Sequence, residues 1–290
     1  MFYLLFVAKQ KFFPRVRPEK IIPGWNAVQR FFILQSKSNY VDDVLGHKMW
    51  LDKNDCLALS VKKVFEPFET QFVQENVSKG HVVVDLGANI GYYTLLFAKL
   101  VGETGRVYAF EPGPSNFEIL QKNIQMNGYQ NVAAFPKAVG STTGNAKLYV
   151  NPEYPADQRI YASPGKLDSI GIETTKLDDY FAQFGSRVDF IKMDIQGAEY
   201  GALLGMERIL AANPQVTLVT EFWPYGLKHA GSGPEAMLDF LLSRGFEISE
   251  LEEGSGLVKK TNRAQLLRDY DVTNIDAFTN LICRRSPAGS

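Results

Sequence analysis

The sequence predicts an α/β fold, an open doubly wound sheet that is mostly parallel, and three observations carry that expectation. Strand and helix patterns alternate over roughly 200 residues, as they do when helices pack on both faces of one sheet. The first strand of the series holds the run Val82-Val83-Val84, which suits a strand buried on both sides. Glycines and acidic side chains then fall where strands hand over to loops, the place where such sheets bind ligands.

Composition permits this fold. With 290 residues, 45% of them hydrophobic, the chain can bury a core in one large domain or two small ones. A formal net charge of −1 supplies no overall attraction to phosphate backbones, so a nucleic-acid partner is not expected. The 2 cysteines, Cys56 and Cys283, are too few for a disulfide framework and too far apart for a metal knuckle. Read as buried thiols, they fit a reducing, cytoplasmic setting. No run approaches the roughly 20 apolar residues that span a bilayer. The N-terminus opens with the apolar stretch Met1–Ala8, followed by Lys9, Lys11, Arg15, Arg17 and Lys20. A secretory signal has the opposite order. Two readings follow: a terminal segment packed on the main domain, or a weak peripheral membrane contact through residues 1–20.

The elements follow in order. Residues 1–67 form a preface broken by Pro14, Pro18 and Pro23, with a short hairpin expected from Lys48–Leu51 and Leu57–Val61 around Asp52–Asp55. Residues 68–284 form the main domain. A helix runs from Pro67 to about Ser78, ended by Lys79-Gly80. His81–Leu86, Arg106–Phe110 and Val132–Pro136 read as the first three strands, separated by helices Tyr92–Leu100 and Asn116–Asn127, and Asn145–Val150 as an extra strand. Residues 151–173, with Pro152, Pro155, Pro164, Gly165 and Gly171, predict a long loop; loops of that size in compact domains serve a function, here expected to be substrate binding. A short helix at Leu177–Phe184 leads to the fourth strand, Val188–Met193. A helix over Ala198–Leu210, a fifth strand at Val216–Glu221, a helix at Pro234–Ser243 and strands at Phe246–Ser249 and Ala277–Cys283 complete the domain. Residues 285–290 are a frayed tail.

The strand ends carry the chemistry. After the first strand stand Gly87 and Gly91, which let the backbone turn sharply and approach a ligand. The helix that follows aims its free N–H groups at the same place. Asp85 narrows the choice of ligand. The Gly-x-Gly-x-x-Gly pattern of a dinucleotide loop is absent, because Ala88 and Asn89 follow Gly87. A carboxylate would also oppose a pyrophosphate, by roughly 4 kcal/mol for like charges about 4 Å apart at an effective dielectric near 20. The same carboxylate suits S-adenosyl-L-methionine (SAM), which carries an ammonium and a sulfonium. Glu111 ends the second strand, where a carboxylate can accept hydrogen bonds from both ribose hydroxyls. Pro112 restricts the turn behind it. Ala138 and Val139, after the third strand, either line an adenine slot or simply pack.

Several blocks, in order, resemble the FkbM family of methyltransferases. They are Asp85-Leu-Gly-Ala-Asn-Ile-Gly-Tyr-Tyr-Thr94, Phe110-Glu-Pro112, Thr175-Lys-Leu-Asp-Asp179, Lys192-Met-Asp-Ile-Gln-Gly-Ala-Glu199 and Glu221-Phe-Trp-Pro224. The resemblance implies a class I methyltransferase (Rossmann-like) fold with an antiparallel last strand. It implies SAM as the donor, bound by Asp85, Gly87, Asn89, Gly91 and Glu111. It further implies O-methylation of a hydroxyl on a glycan or secondary metabolite. Gln196 stands where many members have an acidic residue.

Methyl transfer is an in-line displacement that needs alignment, exclusion of water and, for a hydroxyl acceptor, removal of a proton. No metal is required, although Asp194 and Glu221 could together bind a divalent ion as in metal-dependent O-methyltransferases. Three residues are candidates for the catalytic side: Asp194 at the end of the fourth strand, Glu221 at the end of the fifth, and His229 in the loop beyond, whose ordinary pKa lies near neutrality. Asp194 either faces the acceptor or sulfonium or caps the next helix. Glu199 opens that helix, where its charge favours the dipole. Phe222, Trp223 and Tyr225 either line the methyl channel or pack below it. Two other classes stay open: a nucleic-acid methyltransferase, against which the missing Asn/Asp-Pro-Pro-Tyr/Phe motif speaks, and a SAM-binding homologue without catalysis.

Overall fold

The computed structural model describes residues 39–151, 155–162, 168–182 and 187–286. The apolar and basic segment at residues 1–20 lies outside the described residues, as do parts of 151–173 and most of the tail.

The described chain opens with a hairpin of β1 (Tyr40–Val44) and β2 (His47–Trp50), turning at Leu45 and Gly46. The expected hairpin lay further on, and its second strand instead becomes helix α1 (Leu59–Lys62). Side-chain capping explains the shift. Asp52 accepts from the N–H groups of Asn54 and Cys56, and Asp55 from those of Leu59 and Ser60. Carboxylates that satisfy the free N–H groups of a first turn start a helix, not a strand. Helix α2 (Pro67–Asn76) follows.

The alternating series then runs β3 (Val82–Leu86), α3 (Tyr92–Val101), β4 (Arg106–Phe110), α4 (Pro114–Met126) and β5 (Val132–Phe135). Next come β6 (Lys137–Val139), β7 (Gly144–Val150) and β8 (Asp168–Thr175), which form a separate three-stranded sheet in the order β6-β8-β7. Part of the expected loop at 151–173 is therefore strand. Its pattern is faint because Ile170 and Ile172 alternate with Gly171 and exposed polar side chains. The chain continues through α5 (Leu177–Phe181), β9 (Phe190–Met193), α6 (Glu199–Leu204), α7 (Glu207–Ala212), β10 (Thr217–Phe222) and α8 (Pro224–His229). It closes with α9 (Pro234–Ser243), β11 (Glu247–Glu252), β12 (Leu257–Lys260), α10 (Arg263–Asp269) and β13 (Thr279–Arg284).

One helix was expected over Ala198–Leu210, and the structure has two. A Cβ at Gly205 would stand 2.0 Å from the Gly140 carbonyl oxygen, so the chain from β6 presses directly on this point. Just beyond it, the Asp178 carboxylate accepts from the N–H groups of Arg208 and Ile209 at 3.0 and 2.9 Å, capping a fresh helix start.

The main sheet has the order β12-β11-β13-β10-β9-β3-β4-β5. Strands β3, β4, β5, β9 and β10 are parallel, and β13 is antiparallel to both neighbours. This is the class I methyltransferase arrangement, antiparallel last strand included. Chain direction across the sheet reverses between β3 and β9, which makes their carboxyl ends the switch point where such sheets hold ligands. Val83 and Val84 are fully buried on opposite faces, Val83 in the cluster under α3 and the hairpin, Val84 in the cluster under α6, α7 and α9. Burial of each such side chain contributes about 1.5–3 kcal/mol. Asn123 of α4 ties the hairpin to the loop after β3, donating to the carbonyls of Trp50 and Ile90 at 3.0 and 2.7 Å. No described helix is long and apolar enough to cross a membrane.

Candidate active site

A cavity of about 580 Å³ opens at the carboxyl ends of β3, β4, β9 and β10. The loop after β3 forms its floor. Gly87 has φ +83°, and a Cβ there would meet the Asp194 carbonyl oxygen at 1.9 Å, so only glycine brings this loop against the end of β9. Gly91 caps α3 beneath Leu120 and supports the loop from behind. Asn89 and Gln196, both at the cavity, also hold left-handed backbone, at φ 51° and 56°. Such conformations persist only where the surroundings enforce them, and they cluster at working sites.

Parallel register brings the acids together. Asp85 lies opposite Lys192 across β3 and β9, and Met193 opposite Thr220, so Asp194 and Glu221 emerge side by side. Asp85 is buried and accepts from the Thr94 hydroxyl at 2.6 Å. Burial pushes its carboxyl up to about 6, against the pull of that hydrogen bond. Glu111 is buried at the end of β4, where it accepts from the N–H groups of Asn89 and Gly113, each at 2.8 Å. Burial outweighs those bonds and raises it to about 7.

The far wall holds a second group of charges. Lys192 is buried, with its ammonium 3.2 Å from Glu69, 3.8 Å from Asp194 and 4.4 Å from the centre of the Tyr93 ring. Burial works against its charge, but Glu69, Asp194, Glu66 and Asp85 outweigh burial and raise its pKa. Glu66 accepts from the Tyr93 hydroxyl, and its carboxyl is held well above the ordinary range, by burial first and Glu69 second. Glu221 is likewise held well above, by burial and then by Asp194 and Glu199. Gln196 stands between the two strand-end acids, donating to Asp194 at 3.0 Å and reaching Glu221 at 3.5 Å. An acid at position 196 would add a like charge there; the amide bridges instead.

The cavity wall includes Asp85, Gly87, Asn89, Glu111, Pro112, Ala138, Val139, Asp194 and Glu221 from the candidate set. His229 is not on it. Its ring packs at a tilt of 31° on Tyr225, 4.0 Å between centroids, and Nδ1 contacts that residue's own carbonyl oxygen at 2.7 Å. Glu199 is buried behind the wall, where it accepts from the N–H groups of Ile195 and Gly197. Sequence reading missed Glu66, Glu69, Lys192, Asn116 and Gln158. Lys192 stood in a quoted block without a role; a lysine inside a strand otherwise read as buried was the available signal.

The walls fit SAM. An acidic enclosure suits a ligand with an ammonium and a sulfonium, Glu111 retains lone pairs for hydroxyl donors, and the buried oxygens of Asn116 and Gln158 lack donors among the described residues. Strand order and cavity together define a class I methyltransferase fold with a pocket that fits SAM. A family model described as "Methyltransferase FkbM domain" matches residues 85–248, more than half of the chain, and the chain belongs to that family. A second model, for protein-L-isoaspartate(D-aspartate) O-methyltransferase, matches residues 24–144.

Among curated relatives, Methyltransferase 1 of Beauveria bassiana is 26% identical over 43% of this chain and 58% of its own length. Methyltransferase sdnD of Sordaria araneosa is 24% identical over 62% and 83%. The 31-O-demethyl-FK506 methyltransferase FkbM of Streptomyces tacrolimicus is 28% identical over 44% and 60%. The chain thus spans less than two thirds of the length of the first and third of these relatives. A solved SAM-dependent methyltransferase from Aquifex aeolicus superposes over 75% of this chain and 90% of its own, with a TM-score of 0.40 and 18% identity.

Proposed function

We propose that this enzyme methylates a hydroxyl of a small-molecule or glycan acceptor, with Glu221 as the proton acceptor. The observation that carries the reading is Glu221 itself: nine-tenths buried, on the cavity wall beside Asp194, with its pKa raised by burial. The positive charge of a bound donor would favour ionised Glu221 against its burial, and a carboxylate of raised basicity then withdraws a proton from a hydroxyl more effectively than an exposed one. SAM held by Asp85 and Glu111 would supply the methyl group, the new carbon–oxygen bond replacing carbon–sulfur, and Glu221 would take the proton that the acceptor hydroxyl gives up. Asp194, partly open to the cavity, offsets positive charge on the donor side. Lys192 keeps the buried acids from repelling one another. His229 takes no part in this scheme.

The mouth of the cavity supports an acceptor with an apolar body. Ile275 and Phe278 line it and are 50% and 52% exposed, an arrangement that a carbon skeleton covers better than a polyhydroxylated sugar does. The Streptomyces relative is named for a 31-O-demethyl-FK506 substrate. A cytoplasmic setting would keep Cys56 and Cys283 as thiols.

The test is transfer of tritiated methyl groups to a panel of apolar alcohols and oligosaccharides. Glu221→Gln should lower turnover at least about 100-fold, while calorimetry shows SAM affinity within about threefold of wild type. Undiminished turnover in that variant removes Glu221 as the base.

A further inference from the structure

We infer that Gln158, held in place together with Asn116, hydrogen-bonds a ribose hydroxyl of the bound cofactor and completes the nucleoside subsite that Glu111 begins. The inference rests on the identity of the cofactor and is independent of the acceptor and of Glu221.

Gln158 sits on a strap, residues 155–162, that crosses the cavity, and residues 155–160 all line it. The strap is fastened at two points. Arg159 exchanges backbone hydrogen bonds with Tyr149 of β7 at 2.7 and 3.1 Å, and the Tyr161 hydroxyl donates to the Gln196 carbonyl at 2.7 Å. Ahead of both points, two side-chain amides converge on one atom: Asn116 Nδ2 and Gln158 Nε2 each donate to the Pro155 carbonyl oxygen at 3.0 Å. A carbonyl oxygen only accepts, so this contact fixes both amides with nitrogen toward Pro155 and oxygen away from it.

Both of those oxygens, Asn116 Oδ1 and Gln158 Oε1, are buried and receive no hydrogen bond among the described residues. Buried acceptors without a donor are costly and uncommon, and on a cavity wall they call for a donor on the ligand. The position of Gln158 Oε1 identifies which donor. A Cβ at Gly113 would lie 2.5 Å from Gln158 Oε1, 2.9 Å from Gln158 Nε2 and 2.8 Å from Glu111 Oε1, so glycine there lets the Gln158 amide close on the Glu111 carboxylate. Two acceptors side by side match the vicinal hydroxyls of a ribose, each of which donates once. The adenine amino group is the nucleoside's other donor. The closeness to Glu111 at the end of β4 selects the diol. The strap would then serve the cofactor, beside any part it takes in holding the acceptor.

The experiment measures binding by titration calorimetry for wild type and Gln158→Met, a variant of similar length without the amide. The probes are S-adenosylhomocysteine and its 2′-deoxy, 3′-deoxy and N6-methyl analogues. We expect Gln158→Met to weaken S-adenosylhomocysteine about tenfold. One deoxy analogue should bind the variant as well as it binds wild type, because the lost hydroxyl and the lost oxygen are partners. The ligand-free unfolding midpoint should be unchanged; where Gln158→Met does not fold, Gln158→Leu replaces it. An equal loss for all four probes, no loss at all, or a loss cancelled only by the N6-methyl analogue overturns the assignment.

Discussion

Buried ionisable side chains dominate this cavity, and their proton affinities yield the first prediction. Glu111 holds its proton up to about 7 in the fold, against an ordinary value of 4.5. Between those values the folded chain keeps a proton that the unfolded chain has lost, so stability falls as pH rises through that window. Urea unfolding of the ligand-free protein should lose up to about 3 kcal/mol from this group across the window, and Glu111→Gln should remove that part of the slope. Lys192 matters through its charge. It is the ammonium partner of Glu69, which is fully buried, so Lys192→Met should cost about 3–5 kcal/mol by stranding a charge. Unfolding free energies in urea check it, and a cost under about 1 kcal/mol would show that Glu69 takes up a proton without penalty. Asp85 and Glu111 were legible in the sequence because each ends a strand beside a turn-forming residue. The Lys192 pairing was not, because Glu69 lies on a helix far away in sequence and only the fold brings the two together. Gln158 was hidden in a segment without periodicity.

At the scale of elements, most strands and helices of the sheet were legible, since each buries a face and so shows a period. The misplacements share a cause: tertiary contacts that no local pattern reports. The Asp52 and Asp55 carboxylates turn an expected strand into α1, and the Gly140 backbone with the Asp178 carboxylate splits one expected helix into α6 and α7. The split is testable. Gly205 has an ordinary helical φ of −83°, so Gly205→Ala meets no conformational objection, only the carbonyl oxygen 2.0 Å from its new Cβ. It should destabilise the protein by about 1–3 kcal/mol, read as a lower thermal midpoint, although alanine favours helices elsewhere. A raised midpoint would mean that β6 yields freely at this contact.

For the molecule as a whole, the cavity lies across the junction of the two halves of the sheet, so a cofactor bound there should stabilise the entire fold. At 100 times its dissociation constant a ligand adds about 2.7 kcal/mol, which in a domain of this size raises the midpoint by roughly 5–10 °C. SAM should produce that shift in wild type and none in Asp85→Ala. A full shift in the variant would move the binding site elsewhere. The far border of the sheet has a different consequence. Strand β12 pairs only with β11 among the described residues and presents Leu257 and Val258 to solvent, 53% and 48% exposed. An unpaired row of amides flanked by apolar side chains is a template on which a neighbouring copy can add itself. Lys260, directly adjoining, places a positive charge where such a copy would have to bring another, while the Lys259 ammonium is taken up by Glu252 at 2.6 Å. Repulsion between two copies of Lys260 guards the border against runaway self-association at high concentration.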